Sequence, residues 1–309
     1  MGHRRQWIAC LFFTSFLPAS IYAAAEAPAK QPLEESILLR VDGTLSIDTQ
    51  GVPVDYQIKT ALPQNISDAL QRRVRAWRFD PAQSDGKPTT IHTLMRITLA
   101  TEKNDGKHPI RIDHVNFFHP DVPNQENATD TSDPVSISLE EGNGVRYPYA
   151  GLSREINADV LVYAHVTPVG RVDKAFVSQV ALLNITGRQN DLRDMAKVFE
   201  DEAVADVRGF RFRVAIDQTK LSALQASDPD SVESVFTLRF PVKFIMLGSA
   251  SQSGSAWQQE VRTPIQLPPW LNPHEECGWP GVADLVAGDL LLVSTDCPHL
   301  TTPVVDTTL

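Results

Sequence analysis

Residues 66–79 read Ile-Ser-Asp-Ala-Leu-Gln-Arg-Arg-Val-Arg-Ala-Trp-Arg-Phe, and residues 199–212 repeat the pattern as Phe-Glu-Asp-Glu-Ala-Val-Ala-Asp-Val-Arg-Gly-Phe-Arg-Phe. Apolar positions first recur every four residues, the spacing of one helix face, and then every two residues, the spacing of one strand face. The matched pairs are Ile66 with Phe199, Leu70 with Ala203, Val74 with Val207, Trp77 with Phe210 and Phe79 with Phe212. Each stretch therefore predicts an amphipathic helix that runs directly into a strand, whose first aromatic residue seals the helix onto a sheet.

The repeated pattern indicates two related units, because self-similarity within a chain marks a duplicated architecture. A length of 309 residues agrees with this, since domains average about 150 residues each. The hydrophobic fraction of 42% and the mean hydropathy of -0.18 are typical of a soluble globular protein that buries a substantial core. The predicted fold class is α+β, with two small β-β-α-β domains that contain antiparallel sheets, followed by a C-terminal tail.

The first domain is predicted to span residues 37–101. Thr49-Gln50-Gly51 forms the turn of its hairpin, where glycine adopts a positive φ without steric cost. Asn65 or Ser67 is expected to cap the following helix, which runs to about Arg75. The strands of this domain are expected at residues 37–47, 52–58 and 89–99.

The second domain is predicted to span residues 147–247. Gly170 matches Gly51 as the turn glycine of the hairpin. The interval from this glycine to the helix is longer than in the first domain, and the extra residues around 182–190 are expected to lengthen the helix at its start. The strands of this domain are expected at residues 158–166, 172–180 and 235–246.

Residues 1–25 are typical of a secretory signal peptide. Arg4 and Arg5 precede a short apolar core, and Ala23-Ala24-Ala25 provides the small residues required for cleavage before Glu26. An uncleaved membrane anchor is the alternative. The remaining segments are a linker at 26–36, a connector at 102–146 that includes a strand at 110–118, and a Ser/Gly linker with a Pro-rich tail at 248–309.

Charge and cysteine content narrow the functional classes. The net charge of -10 becomes about -12 once Arg4 and Arg5 are removed, so no basic surplus is available to bind nucleic acid. Cleavage also removes Cys10 and leaves Cys277 and Cys297. Two cysteines in an exported protein most simply form one disulfide, with buried free thiols as the alternative.

The string from Val41 to Pro88 resembles the C-terminal domain of TonB and its relatives. The resemblance rests on Val-Arg-Ala-Trp-Arg-Phe-Asp-Pro-Ala, residues 74–82, followed by Asp-Gly-Lys-Pro, residues 85–88. The second copy is similar through Tyr147-Pro148 and Phe210-Arg211-Phe212, although Val214 replaces the proline and no Gly-Lys-Pro follows. Together the two copies cover roughly half of the chain.

This resemblance implies a periplasmic domain that pairs an exposed sheet edge with a short extended segment of an outer-membrane transporter. In this β-augmentation, main-chain hydrogen bonds provide affinity and side-chain pockets provide selectivity. The chain departs from the energy-transducing members of the family, because a cleaved signal leaves no membrane span and no long Pro/Lys-rich spacer is present.

The third strand of either domain, Thr89 to Leu99 or Val235 to Met246, is the predicted edge for strand pairing. The polar residues of the strand from Thr89 to Leu99 would keep that edge soluble while it is unpaired. A cluster of arginines at the end of the first helix could bind an acidic partner, or could simply form a solvated helix face that the helix dipole favours. The residues assigned to partner binding are Thr89, Ile91, Thr93, Met95, Arg72 and Arg75.

No catalytic or metal site is predicted. The stretch His274-Glu275-Glu276-Cys277 lacks the second ligand cluster of a zinc site, and His108, His114 and His119 do not share one strand face. No phosphate loop, dinucleotide fingerprint or Gly-x-Ser-x-Gly elbow occurs, so no enzyme activity and no cofactor are expected. The alternative function is an envelope scaffold whose two domains pair with each other, and a hydrolase built around the histidines is a weaker third hypothesis.

Overall fold

The computed structural model describes most of the chain that follows the predicted signal peptide. The described residues are 32–84, 87–101, 109–118, 134–142, 144–246, 256–271, 280–285, 290–293 and 298–309. The predicted signal peptide and both cysteines of the predicted disulfide, Cys277 and Cys297, lie outside these ranges. Pro32–Leu309 form one compact unit.

The structure is α+β, and its strands pair antiparallel, as predicted. The helices are Gln64–Arg75 (α1), Tyr149–Leu152 (α2), Gln189–Val207 (α3) and Gln218–Ser227 (α4). The strands are Glu34–Ile47 (β1), Pro53–Ile58 (β2), Gln83–Ser84 (β3), Lys87–Pro88 (β4), Ile91–Thr101 (β5), Arg111–Phe118 (β6), Val135–Glu141 (β7), Asn157–Val166 (β8), Val172–Leu183 (β9), Arg211–Ile216 (β10), Thr237–Phe244 (β11), Gln258–Arg262 (β12) and Leu291–Leu292 (β13).

Both copies contribute to one nine-stranded sheet in the order β13-β11-β8-β9-β12-β1-β5-β6, with β2 paired beside β1. The first copy provides β2-β1-β5, and the second provides the equivalent β9-β8-β11. Strand β12 joins them, because it pairs with Glu34–Leu38 of β1 and with Ala181–Leu183 of β9. The two predicted domains therefore share a continuous sheet that is completed by a strand from the predicted tail.

The hairpin turns of the two copies have the same geometry. Gly51 and Gly170 both have a φ of 77°. The carbonyl of Gly51 accepts a hydrogen bond from the Phe79 amide, and that of Gly170 accepts one from the Phe212 amide, each at 2.9 Å. A Cβ at either glycine would lie within 2 Å of the phenylalanine carbonyl oxygen. The predicted equivalence of the two turns is confirmed.

The repeated apolar positions form the core between the sheet and the helices. Every member of the five matched pairs is buried. Those of the first copy pack with β1 and β5 under α1, whereas those of the second copy pack with β8, β9 and β11 under α3. The repeat therefore encodes the same helix-on-sheet contact twice.

The structure differs from the sequence-based expectations in three details. Pro63 precedes α1 with extended backbone, and neither Asn65 nor Ser67 caps that helix. The extra residues of the second copy extend β9 to Leu183 as well as the start of α3. Strand β1 begins at Glu34, inside the predicted linker, because its first five residues pair with β12.

The predicted tail lies across the sheet face opposite the helices. Its 3₁₀ helix at Val282–Asp284 packs against β1, β5, β8 and β9. Side chains of the tail, among them Leu271 and Leu285, form an apolar cluster with Leu161 and Tyr163 of β8. Both faces of the sheet are therefore covered in the described part of the molecule.

No helix among the described residues is long and apolar enough to cross a membrane.

Candidate functional site

Strand β5, the predicted partner-binding strand, lies inside the sheet. It pairs with β1 from Ile91 to Thr101 and, on its other side, with β6 from Leu94 to Ala100. The expectation of a free edge on this strand is therefore corrected: β6, from the predicted connector, occupies that side.

The four predicted residues near or on β5 have different environments. Thr89 lies before the strand, and Ile91 is partly buried against the core of the first copy. Thr93 donates its hydroxyl to the Phe118 carbonyl at 2.8 Å, and Met95 is 2% exposed beneath α1. A partner could not contact Met95 without opening the core, and the binding role assigned to these residues stays a prediction.

Arg72 and Arg75 lie exposed in the last turn of α1, where the helix dipole favours positive charge. The neighbouring Arg73 bonds the main-chain carbonyl of Thr308. Arg78 is exposed and turns back to the Trp77 carbonyl at 2.6 Å, while Trp77 is buried in the core as predicted. Arg72 and Arg75 are thus exposed at the basic end of α1, and their binding of an acidic partner stays a prediction.

Strand β11, the equivalent third strand of the second copy, is only partly covered on its outer side. Strand β13 pairs with Leu238 and Arg239, and among the described residues no strand pairs with this side from Pro241 onward. The outward main-chain groups alternate, and Pro241 falls on an outward position without an N–H group. Pro241 and the following Lys243 are features by which proteins protect a strand edge.

The outer side of β2 also has no strand partner among the described residues. This edge is short, and a β-bulge at Val54 separates the pairs Ser46–Asp55 and Ile47–Pro53. The second copy has a bulge at the equivalent position, Asp173. Bulges twist an edge away from further pairing, so β2 is a limited docking edge.

A group of polar side chains spans the joint between the two copies, and five of its members, Thr98, Asp113, Glu260, Arg262 and Asp284, are buried. We call it the polar seam, and its residues are Glu34, Thr98, Arg111, Asp113, His114, Glu260, Arg262 and Asp284. Arg262 of β12 and Glu260 lie on the face opposite the helices, because Val261 between them packs in the helix-side core. The polar seam therefore lies between the sheet and the covering tail.

Arg262 and Asp113 form the centre of the polar seam. Arg262 is 1% exposed and donates to both carboxylate oxygens of Asp113, at 2.7 and 3.2 Å. It also contacts Glu34 at 3.0 Å, and Arg111 bonds both Glu34 and Asp113 at 2.9 Å.

Burial alone would raise the pKa of Asp113, but the hydrogen bonds from His114 and Arg262 outweigh it and hold that pKa well below its usual range. This bidentate pair ties β12 to β6.

Asp284 connects the covering 3₁₀ helix to the sheet. Its carboxylate accepts the Thr98 hydroxyl of β5 and the Gly281 amide, the latter at 2.7 Å. Arg96 bonds the Asp284 carbonyl and also pairs with Asp42 at 2.6 Å. These contacts hold the tail against the first copy.

Glu260 lacks a comparable set of donors. It is 2% exposed, and among the described residues its Oε2 atom has no hydrogen-bond partner. Burial raises the pKa of Glu260 to about 7, with Asp159 adding to the rise and Arg262, Arg40 and Lys243 opposing it. A buried carboxyl of this kind is protonated at slightly acidic pH and begins to ionise near neutrality.

His114 lies between two carboxylates of the polar seam. Its Nδ1 atom is 2.7 Å from Asp113 Oδ2. Burial would lower the pKa of His114, but the hydrogen bond to Asp113 and the charges of Asp284 and Asp113 raise it overall. His108 and His119 lie outside the described residues, so the three histidines of the hydrolase hypothesis are not seen together.

Sequence reasoning did not identify the polar seam. Glu260 and Arg262 occur in a polar stretch of the predicted tail, which carries no apolar alternation. The one local signal is the polar-apolar-polar order of Glu260, Val261 and Arg262, which is too short to identify a strand by itself.

The described residues contain no group of three or more His, Cys, Asp or Glu side chains that could hold a metal ion. The chain matches no family model, no curated protein and no solved structure.

Proposed function

We propose that this protein is an exported, non-enzymatic scaffold of a Gram-negative cell envelope that acts by protein–protein contact in the periplasm. The observation that carries the proposal is the continuous sheet, in which β12 joins the two copies of the repeat. While β12 stays paired, a sheet of this size, with helices on one face and the tail on the other, presents its surfaces in a defined relative orientation. That is the property required of a protein that positions others.

The use of strand edges within the molecule supports the same proposal. Tail segments pair with β1, β9 and β11, and Thr307 and Asp306 bond the main chain of Ile112 in β6. An adaptor that binds extended segments needs a long free edge, because main-chain pairing provides the affinity. Here the chain itself occupies most of its edges.

The second candidate function is the strand-pairing adaptor, whose partner would be an extended segment of an outer-membrane transporter. Its support is the outer side of β11 beyond Pro241, where the strand ends at Phe244 and is followed by the exposed Ile245. A Thr93→Pro variant would block strand pairing at a free edge, but β5 pairs on both sides. The substitution would disrupt the sheet itself, so it does not test this adaptor.

A cross-linking pull-down with residues 26–309 from a periplasm and outer-membrane extract separates the two functions. The scaffold predicts an envelope partner that the native protein and Ile245→Lys capture equally. Leu152→Lys is the matched control, because Leu152 is similarly exposed but lies on α2. Capture of a transporter that Ile245→Lys alone abolishes would establish the adaptor instead. Failure of the native protein to capture any envelope protein would overturn both.

We also propose that Cys277 and Cys297 form a disulfide that closes the tail after export. A disulfide between Cys277 and Cys297 would stabilise the tail because it reduces the conformational freedom of the unfolded chain. The mass of the exported protein after alkylation without reductant tests the pairing directly. Two alkylated thiols per molecule would disprove it.

A further inference from the structure

Strand β12 is the joint between the two copies, and it is short. Its five residues pair with five residues of β1 on one side and with three residues of β9 on the other. Main-chain hydrogen bonds from Thr263 to Val180 and from Gln266 to Ser178, each at 2.9 Å, continue the contact with β9. The ladder of β12 itself is short, and a single unfavourable buried charge within it is large on that scale.

Glu260 is the residue of β12 at which such a charge can form. It pairs with Ser36 of β1 and with Leu183 of β9, in the middle of the joint. Its Oε2 atom is buried and accepts no hydrogen bond from the described residues. An ionised carboxylate there would lose its hydration without gaining a donor at that oxygen.

The cations that face Glu260 already have partners. On β12 itself, Arg262 is held by Asp113 and Glu34. On β11, Lys243 pairs with Asp159 of β8, which is the carboxylate that faces Glu260 from that side. On β1, Arg40 donates to the Leu285 carbonyl at 3.3 Å. On the covering 3₁₀ helix, Asp284 is engaged by Thr98 and Gly281. None of the three cations, Arg262, Lys243 and Arg40, can move to neutralise Glu260 without breaking another contact.

We propose that the β12 joint is a pH-sensitive switch: β12 holds the two copies together while Glu260 carries its proton, and it loosens from β1 and β9 when Glu260 ionises. Loosening would expose the main chain of Glu34–Leu38 and of Ala181–Leu183. Exposed strand edges of this kind accept extended segments from partners. The inference goes beyond the scaffold function and does not depend on which partner the protein binds.

The sign of the pH dependence follows from the two titrating groups. In the unfolded chain Glu260 loses its proton near its ordinary pKa of 4.5, whereas in the fold its pKa is about 7. Between these values the folded state binds the extra proton, so stability falls as pH rises. The raised pKa of His114 acts in the same direction, because its favourable charge between Asp113 and Asp284 is lost as pH rises through that pKa.

Denaturant unfolding of residues 26–309 between pH 5 and pH 8 measures the effect. We expect the folding equilibrium constant of the native protein to fall roughly fifty- to a hundredfold more than that of Glu260→Gln, which cannot ionise. Glu260→Met is a second neutral variant in case the amide packs poorly. Glu35→Gln is the matched control, since Glu35 is the exposed neighbour on β1 that bonds Gln259.

Hydrogen exchange, corrected for the intrinsic pH dependence, locates the change. We expect the amides of β12 and of Glu34–Leu38 to lose protection at pH 8 relative to pH 6 in the native protein and in Glu35→Gln, but not in Glu260→Gln. Equal pH dependence in the native protein and Glu260→Gln would overturn the switch. Uniform loss of protection across the sheet would overturn the local opening of β12. Both results are independent of the pull-down that tests the scaffold.

Discussion

The two copies share the same hairpin but differ in how the chain after the helix is completed. In the first copy, residues 78–80 pair with the tail, where the Asp80 amide donates to the His299 carbonyl and the Thr301 amide to the Arg78 carbonyl, each at 2.9 Å. In the second copy, β10 pairs with β7, which comes from the connector before it. The repeat therefore determines a unit that needs an additional strand, and non-repeated segments on opposite sides in sequence provide that strand.

The outer strands of the two copies differ in the same way. Strand β6 covers β5 over seven residues, whereas β13 covers only Leu238 and Arg239 of β11. Among the described residues, an identical topology thus yields a closed edge in one copy and a partly open edge in the other. The length of the covering segment sets how much of each edge is left unpaired there.

Removal of the last residues should show this difference most strongly. A chain that ends after Cys297 loses the main-chain partners of residues 78–80 and Ile112 and the buried Val304. We expect a loss of about 4–6 kcal/mol in the free energy of unfolding. Hydrogen exchange should show lost protection in the first copy while β10 remains protected. Equal deprotection of β10 would mean that the two copies are not completed independently.

Alanine at the turn glycines should affect both copies alike. Gly51→Ala and Gly170→Ala would each place a Cβ within 2 Å of a carbonyl oxygen in left-handed backbone. We expect each to lower the free energy of unfolding by about 3 kcal/mol in a guanidinium titration. Gly144→Ala is the control, because Gly144 also has a positive φ but nothing within 4 Å of the new atom. A loss as small as that of the control would contradict the close contact.

The arginine at the centre of the polar seam tests the joint between the copies. Arg262→Met leaves Asp113 buried without its bidentate partner, and we expect a loss of about 3 kcal/mol. Arg213→Met, which removes an exposed pair with Glu140, should change stability by less than about 0.5 kcal/mol. Since Asp113 has a depressed pKa, the stabilisation it provides is present above its ordinary pKa of 3.8 and is lost as pH falls below it. If Arg262→Met unfolds at the same acid pH as the native protein, the polar seam contributes little to stability.

Helix α4 follows β10 in the second copy. Loss of its N-terminal cap is expected to reduce stability least among these changes. Asp217 caps it by accepting the amides of Thr219 and Lys220, at 3.0 and 3.1 Å. Asp217→Ala should destabilise this helix by about 1 kcal/mol, measured by hydrogen exchange of α4, and Asp217→Ser should retain most of the cap. No change in α1 protection is expected. If the two substitutions destabilise α4 equally, the side-chain cap is not what holds its start.

Sequence reasoning succeeded where the determinants are local. The apolar spacing located α1, α3 and the hairpins, and the turn glycines were matched correctly. It failed at the start of α1, where Pro63 with extended backbone replaces a side-chain cap. It also missed β12 and β13, because β12 is a short polar stretch and β13 is two residues of a short apolar run, and neither is long enough to show a periodicity that favours a strand.

The candidate site was predicted less well than the fold, for the same reason. Thr93 and Met95 look like an edge strand when β5 is considered with β1 alone, and only the position of β6 makes them interior. The polar seam joins residues from β1, β6, β12 and the 3₁₀ helix, so no window of the sequence contains it. Contacts between distant segments cannot be deduced from composition or spacing.

The sequence by itself determined the α+β class, the duplicated helix-and-hairpin unit and the buried aromatic residues, since spacing and glycine conformation act over a few residues. Only the tertiary structure decided that the two copies form one sheet, that β5 is interior, and that Glu260 is buried without a full set of donors from the described residues. Those outcomes depend on which distant strand pairs with each edge in the folded chain. That choice is made by packing of the whole chain, because each unpaired edge is satisfied by whichever segment can cover it at the lowest free energy.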